Sequence, residues 1–201
     1  MIPHSSIMTD SANSERIRKK MASILPLSDA ACTLLLQYGN VKRWSKGALL
    51  LKEGERCREI HFIEDGAIKA FQVKEGKDIN LSFYFEGEFA TNLKSLRQEL
   101  PSEHNLQATE ELLTCTFTKA DLLHLYTLSP EIVVWGRNLL ESLVIKQEEH
   151  AALFKLYSPA ERYTWLLTHE PMFIQRLSVS QIASYLGITR ESLSRIRKRI
   201  K

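Results

Sequence analysis

Cysteine is scarce in this chain: three residues in 201, Cys32, Cys57 and Cys115, and they are widely separated. With no CxxC pair and no Cys/His set at ligand spacing, the chain offers neither a structural zinc site nor a thioredoxin-like redox site, and three scattered thiols make no disulfide framework. Long apolar runs are also missing. Nowhere do the roughly 18 consecutive apolar residues of a membrane span occur, and the N-terminal MIPHSSIMTDSANSERIRKK is polar where a secretory signal is apolar. These absences predict a cytoplasmic protein of bacterial type, with no cofactor, no metal and no membrane partner.

What is present is ample apolar content, 44% of residues, arranged in three textures. SDAACTLLLQYG, from Ser28, has a Ser N-cap, apolar residues at helical spacing and Gly39 as a stop, which predicts a short helix. Then Gly47, Gly54, Gly66, Gly76 and Gly87 recur every seven to twelve residues, separated by ALLLK, EIHFIE, AIKAFQVK and DINLSFYF. Short strands with turn signals at that spacing predict a β barrel, roll or sandwich, to which LLTCTF adds a later strand. The intervening LKSLRQELPSEHNLQ reads poorly as strand and is expected to be a loop or short helix with a special task.

The third texture is helical. Thr118 caps KADLLHLY, and Ser129-Pro130-Glu131 opens a helix running to about Leu156, roughly 40 Å at 1.5 Å per residue. Along it Val133, Gly136, Leu140, Leu143, Gln147, His150 and Phe154 alternate in steps of three and four, the spacing of a heptad seam. Ile132, Trp135 and Leu139 form a second stripe. Two stripes imply two neighbours, the β domain and a second copy of the helix, unless both are buried within one subunit. Ser158-Pro159-Ala160-Glu161 is a capping box with Pro at the first helical position, so Tyr157-Ser158-Pro159 marks a hinge. The expected organisation is a flexible tail over 1–13, a β-roll with flanking helices over 14–128, a long helix suited to dimerisation over 129–157 and a C-terminal helical domain over 158–201, an α+β protein as a whole.

VSQIASYLGITRESLSRIRKRI, residues 179–200, has the spacing of a helix-turn-helix. Ile182, Leu186, Leu193 and Ile196 take the buried positions, and Ala183 is small enough to let the second helix approach. Gly187 opens the turn, and Thr189 caps a helix bearing Arg190, Arg195, Arg197, Lys198 and Arg199. From Ser158 onward eight Lys and Arg face three Glu, leaving 19 basic and 21 acidic residues before that point. A basic end on a slightly acidic body is an electrostatic footprint for a polyanion.

A roll, a long helix, a hinge and a C-terminal helix-turn-helix, in that order, resemble the Crp/Fnr family of transcription regulators. KGALLLKEGE, HFIEDGAIKAF and EGKDINLSFYFEGEF look like the first turn, the glycine-marked hairpin and the strand leading into the ligand loop of the family's cyclic-nucleotide-binding-type roll. ITRESLSRIRK is similar to the recognition helix of the cyclic-AMP receptor protein. The resemblance implies that Arg190, Glu191 and Arg195 read bases, while Ser178, Ser180, Thr189 and Ser192 contact phosphates. Lys198 is expected to act as a further phosphate contact. Two donors of each Arg suit guanine O6 and N7, and the Glu carboxylate suits the cytosine amino group.

In family members that bind cyclic AMP, a Gly-Glu-Leu segment and an Arg-Ser pair hold ribose and phosphate. Laid on without gaps, these positions are Thr91, Asn92 and Leu93, and Ser102 and Glu103. Losing the cation and gaining Glu103 predicts no physiological cyclic-AMP binding unless Lys94 or Arg97 supplies a substitute cation. An iron–sulfur cluster lacks its cysteines, and haem would have only His61 or Cys57. The family usually continues past the recognition helix into a β-hairpin wing, whereas this sequence stops at Lys201, so either the wing is naturally absent or the chain is short.

The expected function is that of a homodimeric, sequence-specific DNA-binding regulator and not an enzyme. Its partners would be palindromic duplex DNA, a second copy, RNA polymerase and an unidentified small-molecule effector. The alternative is a ligand- or partner-binding roll without sequence-specific DNA recognition. A cupin-type metalloenzyme would need a His-x-His with a further Glu and His, whereas His61, His104, His124 and His150 are isolated.

Overall fold

The computed structural model describes residues 11–24 and 26–200. The expected tail therefore lies largely outside the described residues, as does Lys201, while Ser11–Ile24 form helix α1. The described residues form two compact units, 11–69 with Tyr84–Glu141, and Ala70–Phe83 with 142–200.

In the first unit α2 (Asp29–Tyr38) starts where Ser28 accepts a bond from the Ala31 amide, and it ends at Gly39. Strands β1 (Asn40–Trp44), β8 (Leu112–Thr118), β3 (Glu59–Asp65) and β6 (Phe89–Ala90) form one sheet in that order, with Val41 opposite Cys115 and Phe62 opposite Cys115 across antiparallel ladders. A second sheet has the order β2 (Leu49–Leu51), β7 (Asn105–Ala108), β4 (Ile68–Lys74) and β5 (Lys77–Tyr84). These antiparallel pairs and short strands make the roll, as the glycine punctuation predicts. Strand alternation separates the two faces of β8. Cys115 and Phe117 join Phe62, Phe89, Leu35, Ile17 and Met21 in the core under the helices, with Leu125 from α4 (Lys119–Leu128) and Ile132 and Trp135 from α5 (Pro130–Leu156). Helix α1 is tied to β3 by Arg16 and Lys20, whose cations reach the buried Glu64 carboxylate at 3.0 and 3.5 Å.

On the other face of β8, Thr114 and Thr116 build a buried polar ladder. Trp44 Nε1 donates to Thr114 Oγ1 at 3.0 Å, the two threonine hydroxyls lie 3.1 Å apart, and His61 Nδ1 is 3.1 Å from Thr116 Oγ1. His61 is thus a packing residue, edge-on to Trp44. Burial pushes its imidazole down to about 4, with Glu59 opposing and Lys42 adding a smaller push. An unfolded His titrates near 6.5, so between those values the unfolded chain binds a proton that the folded chain does not. Stability is then full above about pH 6.5 and lost as pH falls. Denaturant unfolding at pH 7 and 4.5 should show the stability difference between wild type and His61→Gln changing by about 2–3 kcal/mol. A difference independent of pH would show that burial leaves the His61 ring titrating in the fold as it does in the unfolded chain.

The second unit holds most of the β4–β5 hairpin, Ala70–Phe83, the C-terminal half of α5 and four further helices. Glu75 and Gly76 turn the hairpin with φ of 51° and 71°, a two-residue loop of the primed type whose twist matches the strands. Ser158 and Glu161 close the expected capping box of α6 (Pro159–His169). A short helix missed in the sequence, α7 (Pro171–Arg176), precedes α8 (Val179–Tyr185) and α9 (Arg190–Ile200).

Candidate nucleic-acid interface and ligand loop

Helices α8 and α9 are built by local rules. Ser178 accepts from the Gln181 amide while the Gln181 side chain accepts from the Ser178 amide. Ile182, Ala183, Leu186 and Leu193 are buried, and Ile196 is half-buried. Gly187 adopts φ +70° in the turn, a conformation that costs a residue with a Cβ free energy. Thr189 Oγ1 accepts from the Ser192 amide at 3.2 Å, capping α9.

Leu193 is the one fully buried side chain of α9, so the rest of that helix is free to present charge. Arg190, Glu191, Arg195, Arg197, Lys198 and Arg199 are all exposed. Hydrogen bonds from its own amide and from the Thr189 hydroxyl hold the Glu191 carboxyl below its usual range, with Arg190 and Arg195 adding to the effect. Glu191 is accordingly an ionised, acceptor-only group, the form that can accept from an amino group. Ser178, Ser180 and Thr189 are exposed and Ser192 is half-buried. Ser192 Oγ also accepts from Arg195 Nη2 at 3.2 Å, an arrangement invisible in the spacing alone.

Sequence reading also missed Arg162. Its guanidinium donates to Phe154 O at 2.8 Å, Tyr157 O at 2.9 Å and Leu186 O at 3.4 Å, and lies 4.6 Å from the Phe154 ring centre. One side chain thereby joins the end of α5, the hinge and the turn of the helix pair. Its only sequence signal is an Arg one residue after a capping box.

The seven expected seam residues do not share one exposed face. Val133 and Leu140 are 44% and 45% exposed, and Gln147 is exposed. Leu143 is half-buried. Gly136 is buried, and a Cβ there would sit 2.6 Å from the Tyr126 hydroxyl, so this glycine serves close packing of α4 on α5. His150 and Phe154 turn towards Tyr185, with ring centres 5.5 and 5.9 Å away. Val144, outside the expected seam, is 58% exposed. At 100° per residue Val133, Leu140 and Val144 fall within about 40° of one another, so the exposed apolar stripe is rotated from the one the heptad predicts.

The stretch that read poorly as strand begins as α3 (Leu93–Gln98), capped where Asn92 Oδ1 accepts from the Ser95 amide at 3.0 Å, but its end, against that reading, enters strand β7 at Asn105 because it pairs with β2. The five ligand-loop positions cluster here. Thr91 Oγ1 donates to Glu59 O, Asn92 Nδ2 donates to Ser102 Oγ at 2.8 Å, and Ser102 Oγ donates to His104 O at 2.6 Å. Asn92 and Ser102 are buried, and Leu93 is exposed. Glu103 faces the Lys94 ammonium, which holds its carboxyl below the usual range by hydrogen bonding and charge. His104 is pushed down by burial. Asn92, Ser102 and His104 are thus bonded to one another, Glu103 to Lys94, and Thr91 to β3. Among the described residues no three His, Cys, Asp or Glu are placed to hold a metal ion, and no helix is long and apolar enough to cross a membrane.

The fold defines a class: an N-terminal antiparallel β-roll followed by a long helix and C-terminal helices. Residues 41–128 match the family described as the cyclic nucleotide-binding domain. Among solved structures the chain is similar in fold to FixK2 from Bradyrhizobium japonicum, with 17% identity, a TM-score of 0.66, and coverage of 81% of this chain and 84% of that one. It is also similar to the c-di-GMP responsive global regulator CLP of Xanthomonas campestris, at 18% identity and TM-score 0.65, over 86% of this chain and 91% of that one. The catabolite activator protein of Thermus thermophilus aligns at 18% identity and TM-score 0.56, over 90% of this chain and 86% of that one. No curated protein matches the chain in sequence.

Proposed function

We propose that this chain is a homodimeric, sequence-specific DNA-binding transcription regulator of the Crp/Fnr type, whose roll does not respond to cyclic AMP. The observation that carries the reading is the exposed face of α9, where Arg190, Glu191 and Arg195 stand together on a helix anchored by Leu193. In this reading residues 14–128 sense, 129–157 dimerise through the Val133, Leu140 and Val144 stripe, and 158–201 bind DNA. Two copies set their reading helices one turn apart, roughly 34 Å, and read a palindrome. Ser178, Ser180, Thr189, Ser192 and Lys198 fix register on phosphates. RNA polymerase is the proposed partner on DNA.

The test is in vitro selection of bound duplexes, with affinity followed against salt. A palindrome bound with a steep loss of affinity as salt rises supports the reading. Weak, salt-insensitive binding without a motif would instead favour a partner-binding roll.

The case against cyclic AMP rests on the loop chemistry. Ser102 stands where a cyclic phosphate would need a cation, its hydroxyl is committed to His104 O, and Glu103 next to it is ionised. A missing charge-assisted bond costs about 1.5–3 kcal/mol, and the nearby Lys94 ammonium is engaged by Glu103 instead of standing free for a phosphate. Calorimetry with cyclic AMP and cyclic GMP should therefore give no heat of binding at low micromolar concentration. Saturable binding in that range would refute this part of the proposal.

A further inference from the structure

Residues 70–83 read in the sequence as ordinary strands of the roll, yet they cluster with the C-terminal helices. The reason is a set of bonds between β5 and α8. The Asn80 backbone N–H donates to Ser184 Oγ at 3.0 Å, and that hydroxyl donates to Asp78 O at 2.9 Å. Asn80 Nδ2 donates to Gln181 O at 3.3 Å. Beside them the buried Phe83 ring meets Phe173 and Tyr185, with ring centres 5.6 and 6.1 Å away. β5 stands at the end of its sheet order, so its outer edge has polar groups to spend.

Asn80 is an expensive residue at this place. Asn is disfavoured in strands, this one is buried, and its Oδ1 has no hydrogen-bond partner among the described residues. An unpaired buried acceptor lowers stability. What the residue supplies in return is a hold on two successive turns of α8, at Gln181 and Ser184. Helix α8 in turn carries α9 on Ile182, Ala183 and Leu186, and the reading face of α9 stays exposed.

We infer that Asn80 is a positioning residue for DNA reading: with Ser184 it latches α8 to the β4–β5 hairpin and so sets the heading of α9 relative to the long helix α5. This rests on the DNA-binding reading above. The heading of each reading helix sets the separation of the two half-sites in a dimer, because half-site spacing is a geometric consequence of where the helices point.

The experiment uses the full chain with Asn80→Ala, Ser184→Ala and the hydroxyl-retaining Ser184→Thr. Each is offered palindromes that share the selected half-site and differ in spacer length. Wild type and Ser184→Thr should prefer one spacer. The two Ala variants should accept spacers one or more base pairs different, and bind the wild-type spacer about three- to tenfold more weakly, the loss expected from one or two hydrogen bonds. Their affinity for random duplex and its salt slope should stay unchanged, which a merely unfolded head would not allow.

An unaltered spacer preference and affinity in both Ala variants would overturn the latch and leave the DNA reading standing. So would tighter binding, because the contact would then restrain the head instead of aiming it. If wild type selects no palindrome, the DNA-binding reading fails and the latch falls with it.

Discussion

Replacing Arg190 by Ala is expected to relax the choice of base at one position of each half-site by about 1–3 kcal/mol, roughly a 5- to 150-fold loss of discrimination. The physical ground is that a guanidinium offers two donors in a fixed fork, matching guanine O6 and N7, while other bases present a different pattern in the major groove. Arg190 is exposed at the first turn of α9, and nothing else on that turn can replace its two donors. Arg195→Ala should act likewise at a second position, with a further small loss from releasing the guanidinium that Ser192 now orients. Lys198→Ala provides the contrast. A lysine on phosphate carries no base information, so its loss should weaken all duplexes about equally and lower the salt slope by about one. Competition binding with every single-base variant of the selected site, at two salt concentrations, separates the two effects. Equal behaviour of Arg190→Ala and Lys198→Ala would show that α9 does not read bases.

The second large effect is expected at Leu193. It is the only fully buried side chain on α9 and packs where α8 and α9 meet. Truncation to Ala removes most of its apolar contact and leaves a cavity, at a cost of about 2–5 kcal/mol. Because α9 keeps no other fully buried anchor, that loss falls on the attachment of the reading helix, and specific DNA affinity should drop with it. Ser194→Ala on the exposed side should stay within about 0.5 kcal/mol of wild type. Chemical denaturation monitored alongside DNA binding checks both, and a Leu193→Ala protein with unchanged stability would show that Ile196 and the α8 residues suffice to seat the helix.

Much of this was legible because it depends on near neighbours in the chain. Ser158 with Glu161, Ser178 with Gln181 and Thr189 with Ser192 are caps that act over three residues, so the starts of α6, α8 and α9 could be read directly. The glycines at regular spacing likewise announced the turns of the roll, and Gly187 announced the turn between α8 and α9.

The seam of α5 was legible in spacing but not in direction. A heptad states how often an apolar side chain recurs, and two stripes on one helix satisfy that rule equally well. Which stripe the chain covers was decided by Tyr126 against Gly136 and by Tyr185 against His150 and Phe154, contacts made across folded elements. The ligand loop shows the same limit. Its five positions could be located by resemblance, but only packing revealed that Asn92, Ser102 and His104 bond to one another.

The sequence by itself thus determined the order of elements, the helix-turn-helix and the residues that head α9, because propensity, capping and periodicity act within a few residues. The tertiary structure alone decided which face of α5 is left exposed, what the loop polar groups bond to, and that Asn80 grips a helix about a hundred positions away. Those outcomes depend on which distant surfaces meet, and a pairing of surfaces is a property of the packed chain, not of any window along it.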